Sequence, residues 1–91
     1  MKVYEVKVDW ATNDAEACTT ELFSTEEKAI KAFNAEKVQA MQDYGVFDEQ
    51  TGELIDENWD LDEGKYYWEI WEDGYYTSNH CLITLTEKEV K

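Results

Sequence analysis

The sequence contains no arginine: all eight basic side chains are lysines, set against 22 acidic residues, and the formal net charge is −14. Arginine is the usual residue for bidentate contacts to phosphate and guanine. A protein this negative is also repelled by the phosphate backbone and by anionic lipid headgroups. We therefore expect no direct binding to nucleic acid and no binding to a membrane surface.

Long apolar runs are also missing. No stretch approaches the roughly 18 apolar residues that a membrane span requires. The first residues, 1–5, alternate between polar and apolar types, unlike a signal peptide. The 91 residues suffice for one domain with a modest core. These features predict a single cytoplasmic domain covering 1–91.

Cysteine and histidine are scarce. Cys18 and Cys81 form no CxxC pair and are expected to be reduced and buried, with a disulfide between neighbouring strands as the alternative. The single histidine, His80, is too little for a zinc site. It adjoins Cys81 in a predicted strand, so the two side chains point to opposite faces.

Catalytic arrangements receive little support from the sequence. A Cys18–His80 pair across the sheet is the one nucleophilic arrangement left open. Pairs of carboxylates are uninformative among 22 acids. We expect no enzymatic activity and no cofactor.

The N-terminal third predicts a hairpin. Val3 to Trp10 alternates, with Tyr4, Val6, Val8 and Trp10 on one face, as in a half-buried strand. The turn residues 12–14 follow. Ala15 to Phe23 then predicts a second strand, with Cys18, Thr20 and Leu22 on one face.

A helix is predicted next. Ser24 and Glu27 form a capping box, in which each side chain accepts from the other residue's backbone N–H. The segment that follows has neither glycine nor proline before Gly45, the expected C-terminal stop. One face carries the apolar positions Ala29, Ile30, Phe33, Ala40, Met41 and Tyr44.

The C-terminal half predicts two further strands. Residues 65–72 form the first, 73–74 a two-residue turn, and 75–86 the last strand, with 87–91 as a charged tail. Segment 46–64 is expected to be an exposed acidic loop or hairpin that turns at Thr51–Gly52. The predicted fold is α+β in the order ββαββ: a four-stranded, mainly antiparallel sheet with one helix packed on one face.

The strand over 65–72 carries large side chains on both faces. Tyr66, Trp68 and Ile70 point one way, and Tyr67 and Trp71 point the other. A single helix covers only one face of a sheet. The second face is therefore covered by segment 46–64 or is open to a partner.

A calcium loop is the one metal hypothesis that the sequence leaves open. Asp56, Asn58, Asp60 and Asp62 alternate as oxygen ligands could. The EF-hand pattern fails here, since the required glycine and glutamate do not both fall in register. A calcium-binding module based on a different loop remains an alternative function.

The negative charge is concentrated in residues 43–73, which hold twelve acids and only Lys65, a net −11. Such clustering carries a cost in self-repulsion that a basic partner would relieve. Aromatic residues in the same stretch are typical binding anchors, and Trp59, Trp68 and Trp71 are the tryptophans considered. The predicted partner-binding residues are Asp48, Glu49, Glu53, Asp56, Glu57, Trp59, Asp60, Asp62, Glu63, Tyr67, Glu69, Trp71, Glu72 and Asp73.

Imitation of DNA sets a geometric requirement. Residues 48–63 hold eight acids in sixteen positions. Extended at about 3.3 Å per residue, they give one charge per roughly 6.6 Å, half the density of one DNA strand at about 3.4 Å. Glu69, Glu72 and Asp73 must therefore lie on the same face as the 48–63 carboxylates.

In size, charge and lack of arginine the chain resembles the small acidic inhibitors, such as anti-restriction and anti-CRISPR proteins, that phages and mobile elements direct against nucleic-acid-binding defence enzymes. This resemblance implies a non-enzymatic protein that occupies the basic nucleic-acid groove of an enzyme. The alternative is an accessory interaction domain, homodimeric through the open sheet face.

Overall fold

A computed structural model of the chain describes residues 1–12, 15–73 and 79–89. The elements follow in the order β1 (Lys2–Ala11), β2 (Glu16–Phe23), α1 (Glu26–Tyr44), β3 (Trp59–Glu63), β4 (Tyr67–Glu72) and β5 (His80–Glu89). The described residues form one antiparallel sheet in the order β2-β1-β5-β4-β3 with one helix, which is an α+β fold. No helix among the described residues is long and apolar enough to cross a membrane.

The sheet has five strands, so the prediction of four was wrong. The additional strand is β3, which lies in the segment expected to be an acidic loop. Trp59 and Leu61 alternate there with Asp60 and Asp62, and β3 pairs with β4 through Trp59↔Glu72 and Glu63↔Trp68. The strand went unrecognised because its alternating pattern spans only five residues and consists largely of acids, which strands disfavour.

The last strand is also displaced from its prediction. β5 begins at His80 and continues to Glu89, because Lys2 and Val3 of β1 pair with Glu89 and Lys88. The charged tail predicted over 87–91 is therefore strand as far as Glu89. The predicted turns at 12–14 and 73–74, and the first residues of the predicted last strand, lie partly outside the described residues.

The helix begins one residue later than the capping box predicted. Thr25, not Ser24, is the N-cap, and its hydroxyl accepts from the Lys28 N–H at 3.3 Å. The third helical position is then a lysine, so the reciprocal contact of the predicted box is not made. Gly45 ends the helix as predicted, with φ +63°, a left-handed conformation that favours glycine.

The core lies between α1 and the sheet. Ala29, Phe33 and Ala40 of the helix are buried against alternate side chains of the strands. Ile70 and Ile83, on neighbouring strands, are fully buried. The Tyr44 hydroxyl donates to the carbonyls of His80 at 2.6 Å and Ala11 at 3.2 Å, which fixes the end of the helix over β1 and β5.

Segment 46–58 packs beside the helix, on the same side of the sheet. Val46 and Phe47 are buried, and the Phe47 ring lies 5.9 Å from that of Trp68. A bridge between Phe47 and Leu54 closes a small hairpin in which Gly52 has φ +74°, in agreement with the predicted turn. This segment therefore leaves the second face of the sheet uncovered.

Candidate partner-binding face

The face of the sheet turned away from α1 is here called the open face. The pairing of neighbouring strands shows which residues lie on this face, since residues directly opposite each other point to the same face of the sheet. Tyr67, Glu69 and Trp71 of β4 lie on it, as predicted, opposite Thr84, Leu82 and His80 of β5. No described element packs over it. Further members on the other strands include Val3, Glu5, Lys7, Asp9, Glu16, Cys18, Thr20, Leu22, Asp60, Asp62, Thr86 and Lys88.

The open face is electrically divided. On β1 and β5 the acids contact basic side chains: Lys88 Nζ lies 2.7 Å from Glu5 Oε2, and the imidazole Nε2 of His80 lies 3.6 Å from Asp9 Oδ1. None of the salt bridges among the described residues involves Asp60, Asp62 or Glu69. The half formed by β3 and β4 is therefore a surface of one sign, which we call the acidic half.

The carboxylates of the acidic half lie close together. Asp62 directly opposes Glu69. Asp60 contacts Asp73, and the hydrogen bond between the two carboxyl groups raises the pKa of Asp60, with burial and the Asp73 charge adding to the effect. The Asp73 N–H donates to the carbonyl of Asn58 at 2.7 Å, which holds Asp73 at the end of β3.

Two aromatic residues lie among these carboxylates. Trp71 is half-buried between Asp60 and His80, and Tyr67 is exposed, with its hydroxyl donating to Asp62 Oδ1 at 3.3 Å. The Asp62 charge raises the pKa of the Tyr67 hydroxyl, ahead of burial and the hydrogen bond. Gly64 permits the close approach of the Tyr67 ring, since a Cβ at that position would collide with it.

The other tryptophans considered as anchors are core residues. Trp59 is buried and packs edge-on against Tyr44, with 5.4 Å between the ring centroids. Trp68 is buried against Phe47. Only Trp71 of the three lies on the open face, because the other two point toward the helix.

The predicted acids do not all share one face. Asp48 and Glu49 border a cavity beside α1, and Glu53 belongs to the same small hairpin. Asp56 and Glu57 lie in the turn beside Gly45, while Glu63 and Glu72 point to the helix side of the sheet. Asp60, Asp62, Glu69 and Asp73 remain together, so the full set forms no single row of charge.

Local hydrogen bonds explain the position of the loop acids. The Asp48 carboxylate accepts from the backbone N–H groups of Gln50 at 2.8 Å and Thr51 at 3.1 Å, and these bonds lower its pKa. Asp56 Oδ1 accepts from the Asn58 N–H at 2.9 Å. Both side chains therefore serve as turn residues.

The calcium positions do not converge. Asp60 and Asp62 lie on the open face of β3, whereas Asp56 is engaged in the preceding turn. Within the part of the chain that the structure describes, no three metal-ligating side chains of Asp, Glu, His or Cys come together.

The cysteines lie in different environments. Cys81 is buried, as expected, but Cys18 is exposed on the open face, so its predicted burial was wrong. The two are not disulfide-bonded. Asp9 pairs with Cys18 and its carboxylate contacts His80, so an aspartate separates the only histidine from this thiol.

Comparison with known proteins adds no relative: no protein-family model, no curated protein and no solved structure matches this chain. Functional conclusions therefore rest on the surface described above.

Proposed function

We propose that the chain is a non-enzymatic binding protein whose acidic half contacts a basic protein surface. The observation that supports this most strongly is the joint position of Trp71 and Tyr67 with three carboxylates on a sheet face that no described element covers. Aromatic side chains provide apolar contact area, and the carboxylates pair with lysine and arginine of the partner.

The full set of predicted acids does not meet the requirement of a shared face that DNA imitation sets, but Asp60, Asp62, Glu69 and Asp73 do. The arrangement of these four motivates the finer proposal that the partner is the nucleic-acid groove of an enzyme. Asp73, Asp60 and Asp62 occupy three successive levels of the sheet, and Glu69 shares the level of Asp62. At about 6.6 Å between levels, the four charges span about 13 Å, a mean interval of about 4.4 Å, which is somewhat wider than the about 3.4 Å along one DNA strand. These four carboxylates would take the place of only a few phosphates of a bound DNA strand.

Local repulsion supplies part of the driving force. The raised pKa of Asp60 reflects two carboxyl groups that interact before any partner arrives. A cation brought between them lowers that pKa and relieves the repulsion. Binding should therefore be salt-sensitive and faster at low ionic strength.

The first test uses octa-arginine, the simplest basic probe, with affinity measured by titration calorimetry at 50 and 200 mM salt. The open-face double variant Asp62→Asn/Glu69→Gln is compared with Glu49→Gln/Glu53→Gln, which removes the same charge from the helix side. We expect the first to weaken binding about three- to tenfold and the second less than twofold. Equal losses would mean that net charge alone attracts the probe and would contradict the proposed face.

The inhibitory role is tested separately, with DNA cleavage by a panel of restriction and RNA-guided nucleases as the readout. We expect inhibition of at least one enzyme that is relieved by excess duplex DNA and by Trp71→Ala. Inhibition that DNA does not relieve would contradict occupation of the nucleic-acid groove.

The homodimer is a second candidate because the open face also exposes Leu22, 60% accessible, and Tyr67, 39% accessible. Light scattering of the wild-type protein distinguishes a homodimer from a monomer that binds a basic partner. A dimer that Leu22→Glu separates, together with failure of both tests above, would favour the accessory-domain function.

A further inference from the structure

A groove runs along the helix on the side opposite the open face. The helix packs mainly over β1 and β5 and leaves the inner face of β2 largely uncovered. Two cavities, of about 370 and 310 Å³, lie in this gap and share Val8, Thr19 and Glu36. Their size is within the range of about 300–1,000 Å³ common for ligand sites.

The larger cavity has an apolar floor. Val8 and Trp10 of β1, Ala40 of α1 and the buried Cys81 of β5 contribute to its lining. Trp10 lines the cavity and is only half-buried, so part of its side chain can contact an occupant. A flat or extended hydrocarbon would be removed from water here.

The rim of this cavity is negative. Glu36 and Asp43 both border it, and no lysine is among the described residues that line either cavity. The pKa of the Cys81 thiol is raised to about 12, first by burial and then by the charges of Glu36, Asp9 and Asp43. Two of these three acids, Glu36 and Asp43, line the cavity. Asp43 is held in place by Gln39, whose Nε2 donates to Asp43 Oδ1 at 2.9 Å.

The spacing of the two carboxylates specifies the occupant. Glu36 and Asp43 are seven residues apart, which is two turns along one face of the helix and a rise of about 10.5 Å. This backbone separation is several times the about 2.7–2.9 Å of an ammonium–carboxylate contact, so a ligand with two cations matches the pair better than a single ammonium group. An extended diamine of about eight methylene groups places a cation at each carboxylate and its chain over the apolar floor between them.

We propose that this groove binds small aliphatic di- or polyamines, with Glu36 and Asp43 contacting the terminal ammonium groups and Trp10, Val8 and Ala40 contacting the methylene chain. The site is independent of the acidic half, which lies on the other face of the sheet. Its recognition combines charge with chain length, so it differs from general attraction of cations to an acidic protein.

The test titrates 1,8-diaminooctane into the protein at 150 mM salt and follows backbone and indole N–H signals by NMR. Comparison ligands are 1,4-diaminobutane, which is too short to reach both carboxylates, and octylamine, which has one cation. We expect the long diamine to bind about three- to tenfold more tightly than either, with the largest shifts at Val8, Trp10 and Ala40.

Matched variants complete the test. Glu36→Gln and Asp43→Asn should each weaken the diamine about three- to tenfold and remove its advantage over octylamine. Glu89→Gln, an exposed acid beside the N-terminus, carries the same charge change and should leave the affinity within twofold. Equal affinities for the three ligands, equal losses in all variants, or shifts centred on Asp60 and Asp62 would overturn the proposal.

Discussion

The two faces of this sheet come from the same strands but differ in almost every physical property. On the helix side, Ile70 and Ile83 are fully buried and Tyr44 ties the helix to two strands. On the open face, the positions immediately adjacent in sequence, Glu69 and Leu82, remain partly accessible. Buried apolar contacts are therefore concentrated on one face, and the other is the face on which the proposed partner would bind.

The acidic segment shows the same division. Its first part, from Asp48 to Asn58, is fixed beside the helix by buried Phe47 and by side-chain bonds to backbone N–H groups. Its second part, β3 and β4, carries close carboxylates, and no salt bridge among the described residues involves Asp60, Asp62 or Glu69. A charge count alone does not distinguish these roles.

The largest expected difference between the faces concerns the two cysteines. Cys18 is exposed, whereas Cys81 is only 2% accessible beneath the groove, so a thiol reagent too bulky for the groove reaches Cys81 only when the structure opens. For an opening free energy of about 5 kcal/mol, Cys81 should react more than about a thousandfold slower than Cys18. The labelling rate of Cys18→Ser reports on Cys81, and that of Cys81→Ser reports on Cys18. Comparable rates in the two variants would contradict the assigned faces.

Truncating buried and exposed aliphatic side chains should separate the faces in stability. Ile83→Ala removes a fully buried side chain and should lower the free energy of unfolding by about 2–5 kcal/mol. Leu22→Ala, on the open face, should change it by less than about 0.5 kcal/mol. Urea unfolding measures both, and similar losses would show that the open face is covered.

The smallest expected effect concerns Asp60. The pKa of Asp60 is higher in the folded protein than in the unfolded chain. The protonated carboxyl group therefore stabilises the fold below the unfolded-state pKa, and this stabilisation is lost as the pH rises through the folded-state pKa. Asp60→Asn should therefore raise the urea midpoint slightly at pH 7 and have almost no effect at pH 3. Glu57→Gln is the control, since it removes one negative charge from a residue that has no such contact with Asp73. An equal rise of the urea midpoint in this variant would assign the effect to net charge.

Much of the fold followed from local patterns. The alternation of β1 and β4, the helix up to Gly45 and the turn at Gly52 were all predicted and are confirmed. The helix start was missed because Ser24 and Thr25 are both good caps, and only the geometry selects Thr25. The strand β3 was missed because acids mask a short alternating pattern.

The candidate site was only partly predictable. The alternation within β4 placed Tyr67 and Trp71 together, since neighbouring strand residues point to opposite faces. It could not show that Trp59 is buried or that Asp60 meets Asp73, because both depend on pairing between strands. The groove between α1 and β2 has no signature in the sequence, since its walls come from elements that are distant along the chain.

The sequence by itself determined the sign of this protein's charge, on which the proposal of a basic partner rests, because net charge and the lack of arginine are properties of composition. It also determined which residues of a strand share a face, because that alternation is a property of the backbone. Only the tertiary structure decided that segment 46–58 packs on the helix side and that four carboxylates of twelve gather on the open face. Those outcomes depend on burial of Phe47 and on strand register, which are set by contacts between distant residues.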